Sequence, residues 1–533
     1  MLRKGTALLA LVLWLAAVPA AASHWQLART ANFEVLTDLD GDDARQLATD
    51  LERFRHTLHH IAGRAEVGDD VPVRVYALRH RRQATRLFGD RAYAGFYRPG
   101  MHGGVAAIHH PERARWNVDG RRFLLHEYAH HYLRSFPGYG FPTWYDEGFA
   151  EFVSTFEFDE GIARLGAPPP DRLFVLDRFE WIGTEKLVVD GTRYLNEVVR
   201  PKTRAGTGPA TTSDLQMQYA LGWFLTHYLY SDSTRLGALQ DYTDRLNAGE
   251  APAEAFPAAF GIDFRVLDAD LRRHWRGGKV ATFGFRIEGA DAVPEPELRS
   301  FPGVHDDFWI AEARLVLSRH EDPDAMREAF LTVVEASEDP ELVARARLNL
   351  AELENDLGRF GQAAQHAQAV LDATPDDLRA FGEIARARLG AARALYASGA
   401  ADAALRGDAA LATLLDALEA AFESGAEDVH LRALHVQAHI EDRRADALPG
   451  LRSLGALQRR YPQHPDIQRW AALLYAEAGH HERALEALEF ERTWARSDEE
   501  EAEIAALVEA VRAASTEAAE APRPARALLG SPG

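Results

Sequence analysis

Apolar and polar residues alternate over residues 31–38 (ANFEVLTD), the two-residue period of a half-buried strand. The pattern then changes to helical spacing over 42–63, with Leu47, Leu51, Phe54 and Leu58 on one side. Two β-rich runs follow, VPVRVYAL at 71–78 and GGVAAI at 103–108, so the chain opens with a small α/β unit. A helix is predicted over 121–135, stopped by Pro137-Gly138, and a second begins near Trp144 in PTWYDEGFAEFVSTF. Residues 159–213 read as irregular, with the turn-rich stretches APPPD and KTRAGTGPATTSD. Helix returns from Asp214 to Tyr230 and continues in shorter pieces to about Trp275.

The stretch 287–303 is rich in proline, glycine and acid and reads as a linker. From about 306 onward the chain is alanine-rich helix with internal similarity. LGRFGQAAQHAQAVLDATPDD places Gly358, Phe360, Ala363, Ala367 and Pro375 at the spacing of a tetratricopeptide repeat. Part of that frame recurs at Gly399 and Ala404, and again at Gly479 and Ala484. This half therefore resembles a degenerate tetratricopeptide solenoid, with a generic helical bundle as the alternative. The tail from 515 to 533 reads as disordered.

Composition narrows the partners. A chain of 533 residues, 47% hydrophobic, is long enough for two or three cores. A net charge of −21 repels nucleic-acid phosphates and anionic lipid, so neither is an expected partner. There is no cysteine, which excludes disulfides and thiolate metal sites. Residues 1–22 have the form of a cleaved signal peptide: Arg3 and Lys4, an apolar core from Ala7 to Val18, then Ala20-Ala21-Ala22 before Ser23. The expectation is a periplasmic or secreted protein with no stable membrane insertion after cleavage, because no other run is long and apolar enough to span.

The candidate chemistry lies in RRFLLHEYAHHYL, from Arg121 to Leu133. Buried imidazoles and carboxylates cost free energy unless paired, so a packing helix gains nothing from this cluster, whereas a metal site requires it. His126-Glu127-Tyr128-Ala129-His130 spells H-E-x-x-H. Residues four apart on a helix lie nearly above one another, so His126 and His130 can face one ion. Glu127 stands about 100° round from His126, beside the ion, where it can take a proton from water. His131 is displaced from that face and reads as a packing residue or one that supports a ligand, not a fourth ligand; His109 and His110 read as exposed loop residues.

Downstream, Trp144-Tyr145-Asp146-Glu147-Gly148-Phe149-Ala150-Glu151 resembles the second helix of the gluzincin metallopeptidases. DEGFAEF is similar to the N-E-G-F-A of the aminopeptidase N family, with Asp146 in place of asparagine. The resemblance implies one zinc ion per chain, held by His126, His130 and Glu147, with Glu127 as general base. It also implies that Glu151 hydrogen-bonds a ligating histidine and that Tyr219, in a Y-x-x-G segment ending at Gly222, supports the oxyanion. In that family a sheet edge ahead of the motif helix pairs with extended peptide, and residues 103–108 are the candidate. The acidic segment with which the family's exopeptidases grip a free amine is absent from GGVAAI, which favours an endopeptidase. As a whole, residues 25–275 resemble an exported bacterial branch of the peptidase MA-like superfamily.

The expected fold class is α+β. A gluzincin-like metallopeptidase domain comprises a small N-terminal α/β part with an edge strand (23–115) and a helical zinc-binding part (116–286). The linker at 287–303 and an all-α tetratricopeptide-like region at 304–514 follow. The expected substrate is a peptide or protein, with a protein partner bound through the repeats. Two other readings are a weakly active or non-catalytic scaffold acting through those repeats, and hydrolysis of a non-peptide amide.

Overall fold

The computed structural model describes residues 25–516 apart from 63–70, 90–94, 99–102, 110–119, 137–139, 191–211, 279, 288, 290–292, 319, 400, 443–446, 462–463 and 494–497. The signal peptide, the Pro137-Gly138 stop, His110, the KTRAG loop and nearly all of the tail lie outside the described residues.

In chain order the strands are β1 (Trp25–Arg29), β2 (Phe33–Thr37), β3 (Val73–Leu78), β4 (Gly95–Arg98), β5 (Val105–His109), β6 (Glu157–Asp159), β7 (Ile162–Leu165), β8 (Phe283–Arg286) and β9 (Glu297–Phe301). The main sheet has the order β4-β5-β3-β2-β1-β9. β2, β3 and β5 run parallel, and the flanking β1, β4 and β9 are antiparallel to their neighbours. Helix α1 (Gly41–Ile61) makes the crossover from β2 to β3, the long connection that parallel pairing demands. The four-residue β4 covers β5, so residues 103–108 do not form the sheet edge expected of them. Among the described residues the edge on that side is β4.

Both faces of the sheet are buried, and the alternation of side chains sorts them cleanly. Ala28, Phe33, Val35, Val73, Val75, Ala77, Ala106 and Ile108 join a core with α1 and the motif helix. Their neighbours Leu27, Leu36, Tyr76, Leu78, Val105 and Ala107 join a second core on the opposite face.

Helices α2 (Arg81–Phe88), α3 (Gly120–Leu133), α4 (Thr143–Val153), α5 (Pro170–Arg178), α6 (Thr212–Tyr230), α7 (Ser233–Asn247), α8 (Pro252–Phe260) and α9 (Phe264–Arg276) complete the N-terminal part, and residues 184–190 are also helical. Within the span read as irregular, Pro170 occupies the first turn of α5, where its missing N–H would be unpaired anyway. β6, β7 and β8 form a small antiparallel sheet beside α4. Its β6–β7 turn puts both Glu160 and Gly161 at positive φ, as a two-residue hairpin of primed type requires.

The stretch 287–303, expected as a linker, instead contributes β9, which pairs along the whole of β1 from Trp25↔Phe301 to Arg29↔Glu297. The chain then enters α10 (Asp306–Val316), α11 (Pro323–Ala336) and α12 (Pro340–Asp356), whose apolar residues Phe308, Trp309, Phe330 and Leu350 roof the second face of the sheet. Trp25 stacks on Trp309 at 5.6 Å and donates to Asp306 at 2.9 Å. Below them a buried Glu312 accepts from Tyr76 at 2.7 Å, from Arg345 through two bonds of 2.6 Å, and from Asn349 at 2.7 Å. Losing one partner of such a buried charge pair costs about 3–5 kcal/mol.

Beyond the roof come α13 (Phe360–Leu371), α14 (Leu378–Ala397), α15 (Ala401–Glu423), α16 (Val429–Glu441), α17 (Ala447–Arg460), α18 (Pro465–Glu477), α19 (His481–Thr493) and α20 (Asp498–Thr516). Each helix packs on the next, and α12, α14, α16 and α18 also touch in succession, the contact pattern of a stacked helical array. Gly358, Gly399 and Gly479, singled out by the repeat pattern, all adopt positive φ after a helix end, a conformation that side chains with a Cβ disfavour. The chain is thus α+β and mostly helical.

Candidate metal centre

Three elements meet at one point. α3 brings His126 and His130, α4 brings Glu147, and α6 lies across α4 and brings Tyr219. The crossing of α4 and α6 depends on two glycines. A Cβ on Gly148 would stand 2.4 Å from the Gly222 carbonyl oxygen and 2.5 Å from Thr226 Oγ1, so only hydrogen fits there.

His126 Nε2 and His130 Nε2 are 3.1 Å apart, and Glu147 Oε2 is 3.2 Å from the first and 3.4 Å from the second. Zinc bonds of about 2.0–2.1 Å at tetrahedral angles hold neighbouring donors roughly 3.3–3.4 Å apart, so this triangle fits one tetrahedral face. Glu147 Oε2 is a buried oxygen with no well-formed hydrogen bond despite the two nitrogens beside it. Two imidazoles and one carboxylate suit zinc chemically, and three ligands leave a position free for catalysis. The residues present therefore fit the ion that the motif implies.

The electrostatics are arranged around the same atoms. Asp146 Oδ1 lies 2.7 Å from His130 Nδ1, the kind of partner that would orient an imidazole with its Nε2 toward a metal ion. Burial disfavours charge on His130, but the carboxylates of Asp146 and Glu147 outweigh it and raise its pKa to about 10. Burial also opposes ionisation of Glu147, yet the two histidines hold its carboxyl well below the usual range.

Glu151 is placed differently from the expectation that it hydrogen-bonds a ligating histidine. Its Oε1 is 3.6 Å from His126 Nδ1, beyond hydrogen-bond reach. The two oxygens accept from Arg172 and Arg122 instead, each at 2.6 Å. Burial pushes its pKa up, and Arg172, His126 and Arg122 overcome that and lower it to about 2. Arg172 also donates to Gln216 on α6 at 2.8 Å and lies 5.2 Å from the centre of the Tyr219 ring. Tyr219 itself flanks the centre, its ring 6.4 Å from that of His126. The charge of Glu147, then burial, raise its pKa far above that of a free phenol, which keeps the hydroxyl protonated as a donor. Glu127, half-buried on α3, contributes to the same field.

His131 faces away, against Tyr97 and Tyr128. His109 ends β5 and is absent from the donor cluster. Sequence reasoning passed over three residues. Asp146 was visible, but only as a replacement for asparagine. Arg122 sits one turn before His126 and gave no signal of its own. Arg172 follows the proline run that read as a turn, and nothing in the spacing ties it to Glu151. Comparison with protein-family models, curated proteins and solved structures returned no match.

Proposed function

We propose that the chain is an exported zinc metallopeptidase of gluzincin type that cleaves within peptide chains. The single observation carrying this reading is the convergence of His126 Nε2, His130 Nε2 and Glu147 Oε2 at 3.1–3.4 Å, beside a glutamate one residue along the helix. When bound, zinc polarises the scissile carbonyl and makes water acidic enough to ionise near neutral pH. Glu127 accepts a proton and returns it to the leaving amine. The Tyr219 phenol donates to the oxygen on which negative charge develops. Asp146 holds the His130 ring in register, and Arg172 ties the helix of Tyr219 to Glu151.

Internal cleavage is supported by the state of the acids. An aminopeptidase needs a carboxylate free to pair with the substrate's ammonium group. Glu151 has both oxygens engaged by guanidinium groups, and β4, the described edge nearest the motif helix, contains no acid. The backbone of that edge suits pairing with an extended peptide. Export is inferred from the form of residues 1–22; no described helix is long and apolar enough to cross a membrane. The C-terminal helices are read as tetratricopeptide-like, supported by their successive packing and by the positive-φ glycines, and as the surface that selects a protein partner or substrate.

The deciding experiment compares the zinc-loaded mature chain with its Glu127→Gln form on an unstructured protein whose amino terminus is blocked. Glu127→Gln should keep its zinc and lose roughly 10²–10⁴-fold in rate, the range for a missing general base. Equal rates, or trimming restricted to free amino termini, would overturn the proposal.

A further inference from the structure

Helix α16 carries a second histidine pair at i, i+4, in the sequence His435-Val436-Gln437-Ala438-His439. The two Nε2 atoms are 3.2 Å apart and the rings meet at 4.5 Å and 87°, close to the 3.1 Å, 4.8 Å and 80° of His126 and His130. Both imidazoles are buried, at 2% and 4% exposure. Across from them, Glu419 on α15 places Oε1 3.8 Å from His435 Nε2, and one donor atom of each of the three residues lies within 4.8 Å of the others. We propose that Glu419, His435 and His439 bind a second divalent metal ion of the zinc class, which ties α15 to α16 within the helical array.

The neighbouring helix builds the site's outer layer. Ser453 on α17 has its Oγ 2.9 Å from His435 Nδ1, and a Nδ1–H donated to it leaves the Nε2 lone pair facing His439. One turn earlier, a Cβ on Gly450 would lie 2.9 Å from the Cβ of His439 and 3.0–3.2 Å from its ring, so glycine there allows the ring to be pressed between helices. The side chain of Glu419 is 47% exposed, which gives an ion a way in and leaves the carboxylate free to swing toward the two imidazoles. Two imidazoles and one carboxylate favour zinc-like ions over magnesium or calcium.

This site differs from the first in one respect that bears on its role. The residue after the leading histidine is Glu127 on α3 but Val436 on α16, so the position that carries the proposed base at the first site is apolar at the second. Its part is structural: bound metal stabilises the folded array because the unfolded chain holds no preformed site.

The test is made in a chain whose first site has been removed by His126→Ala and His130→Ala, so it does not depend on the catalytic reading. That chain should still bind one zinc ion per molecule and melt at a higher temperature with zinc than with chelator. Adding Glu419→Gln, an exposed change that the fold tolerates, should lower zinc affinity roughly tenfold or more through loss of the only anionic ligand. A folded double-histidine variant that takes up no zinc at micromolar free metal would overturn the proposal. So would an affinity that Glu419→Gln leaves unchanged, because the bound zinc would then sit elsewhere.

Discussion

Asp146 and Glu147 are adjacent in sequence but hold different atoms of the same histidine. Glu147 stands with the Nε2 donors, while Asp146 reaches the Nδ1 side of His130. Glu147→Ala should therefore abolish tight zinc binding, whereas Asp146→Ala should weaken it roughly 10–100-fold, with elemental analysis and chelator competition as the measurements. Glu151 belongs to a different category of acid. Its carboxylate neutralises Arg122 and Arg172, and at neutral pH Glu151→Gln should destabilise the chain by about 3–5 kcal/mol, as removal of one partner from a buried pair does. The sign of its pH dependence follows from a folded pKa lowered from 4.5 to about 2. The stabilisation is present above the ordinary carboxylate range and is lost as pH falls through about 2, so wild type and variant should converge in denaturant melts between those limits. At this scale the proposed histidine ligands were legible because helix geometry alone dictates that i and i+4 share a face. The role of Glu151 was not, since its partner Arg172 is brought in by a separate helix.

Among the elements, the contact of α4 with α6 decides how Glu147 and Tyr219 face each other. Gly148→Ala would force a methyl group into the Gly222 carbonyl and drive the helices apart, at a cost of about 1–3 kcal/mol, the usual range for overpacking. Activity should fall more than zinc content, because Tyr219 is displaced while His126 and His130 remain together on α3; kcat and metal content measured on one preparation check this. The helices of the centre could be read from the sequence because α3 and α6 are long, 14 and 19 residues, and α3 is marked by its i, i+4 histidine pair. The edge strand could not: β4 is only Gly95–Arg98, too short for a period to show, and the longer apolar run at 103–108 drew the assignment inward. β9 was hidden for a related reason, as its five residues follow a proline-rich acidic stretch that reads as a break.

The whole molecule is organised around a sheet whose N-terminal strands are completed by residues 297–356, far along the chain. β9 closes one edge, and α10–α12 roof one face. A chain ending near residue 285 keeps His126, His130 and Glu147 but should be insoluble, because Leu27, Leu36, Tyr76 and Leu78 would face water. A chain ending at 358 should be soluble and hold zinc; size-exclusion chromatography with metal analysis distinguishes the two. The same long-range closure sets an order of events during synthesis. Trp25 meets Asp306 across 281 positions, so at about 5–20 residues per second the first strand waits on the order of half a minute for its roof. For that interval the sheet lacks its roof and the chain stays loose, the state that the proposed export across a membrane would require.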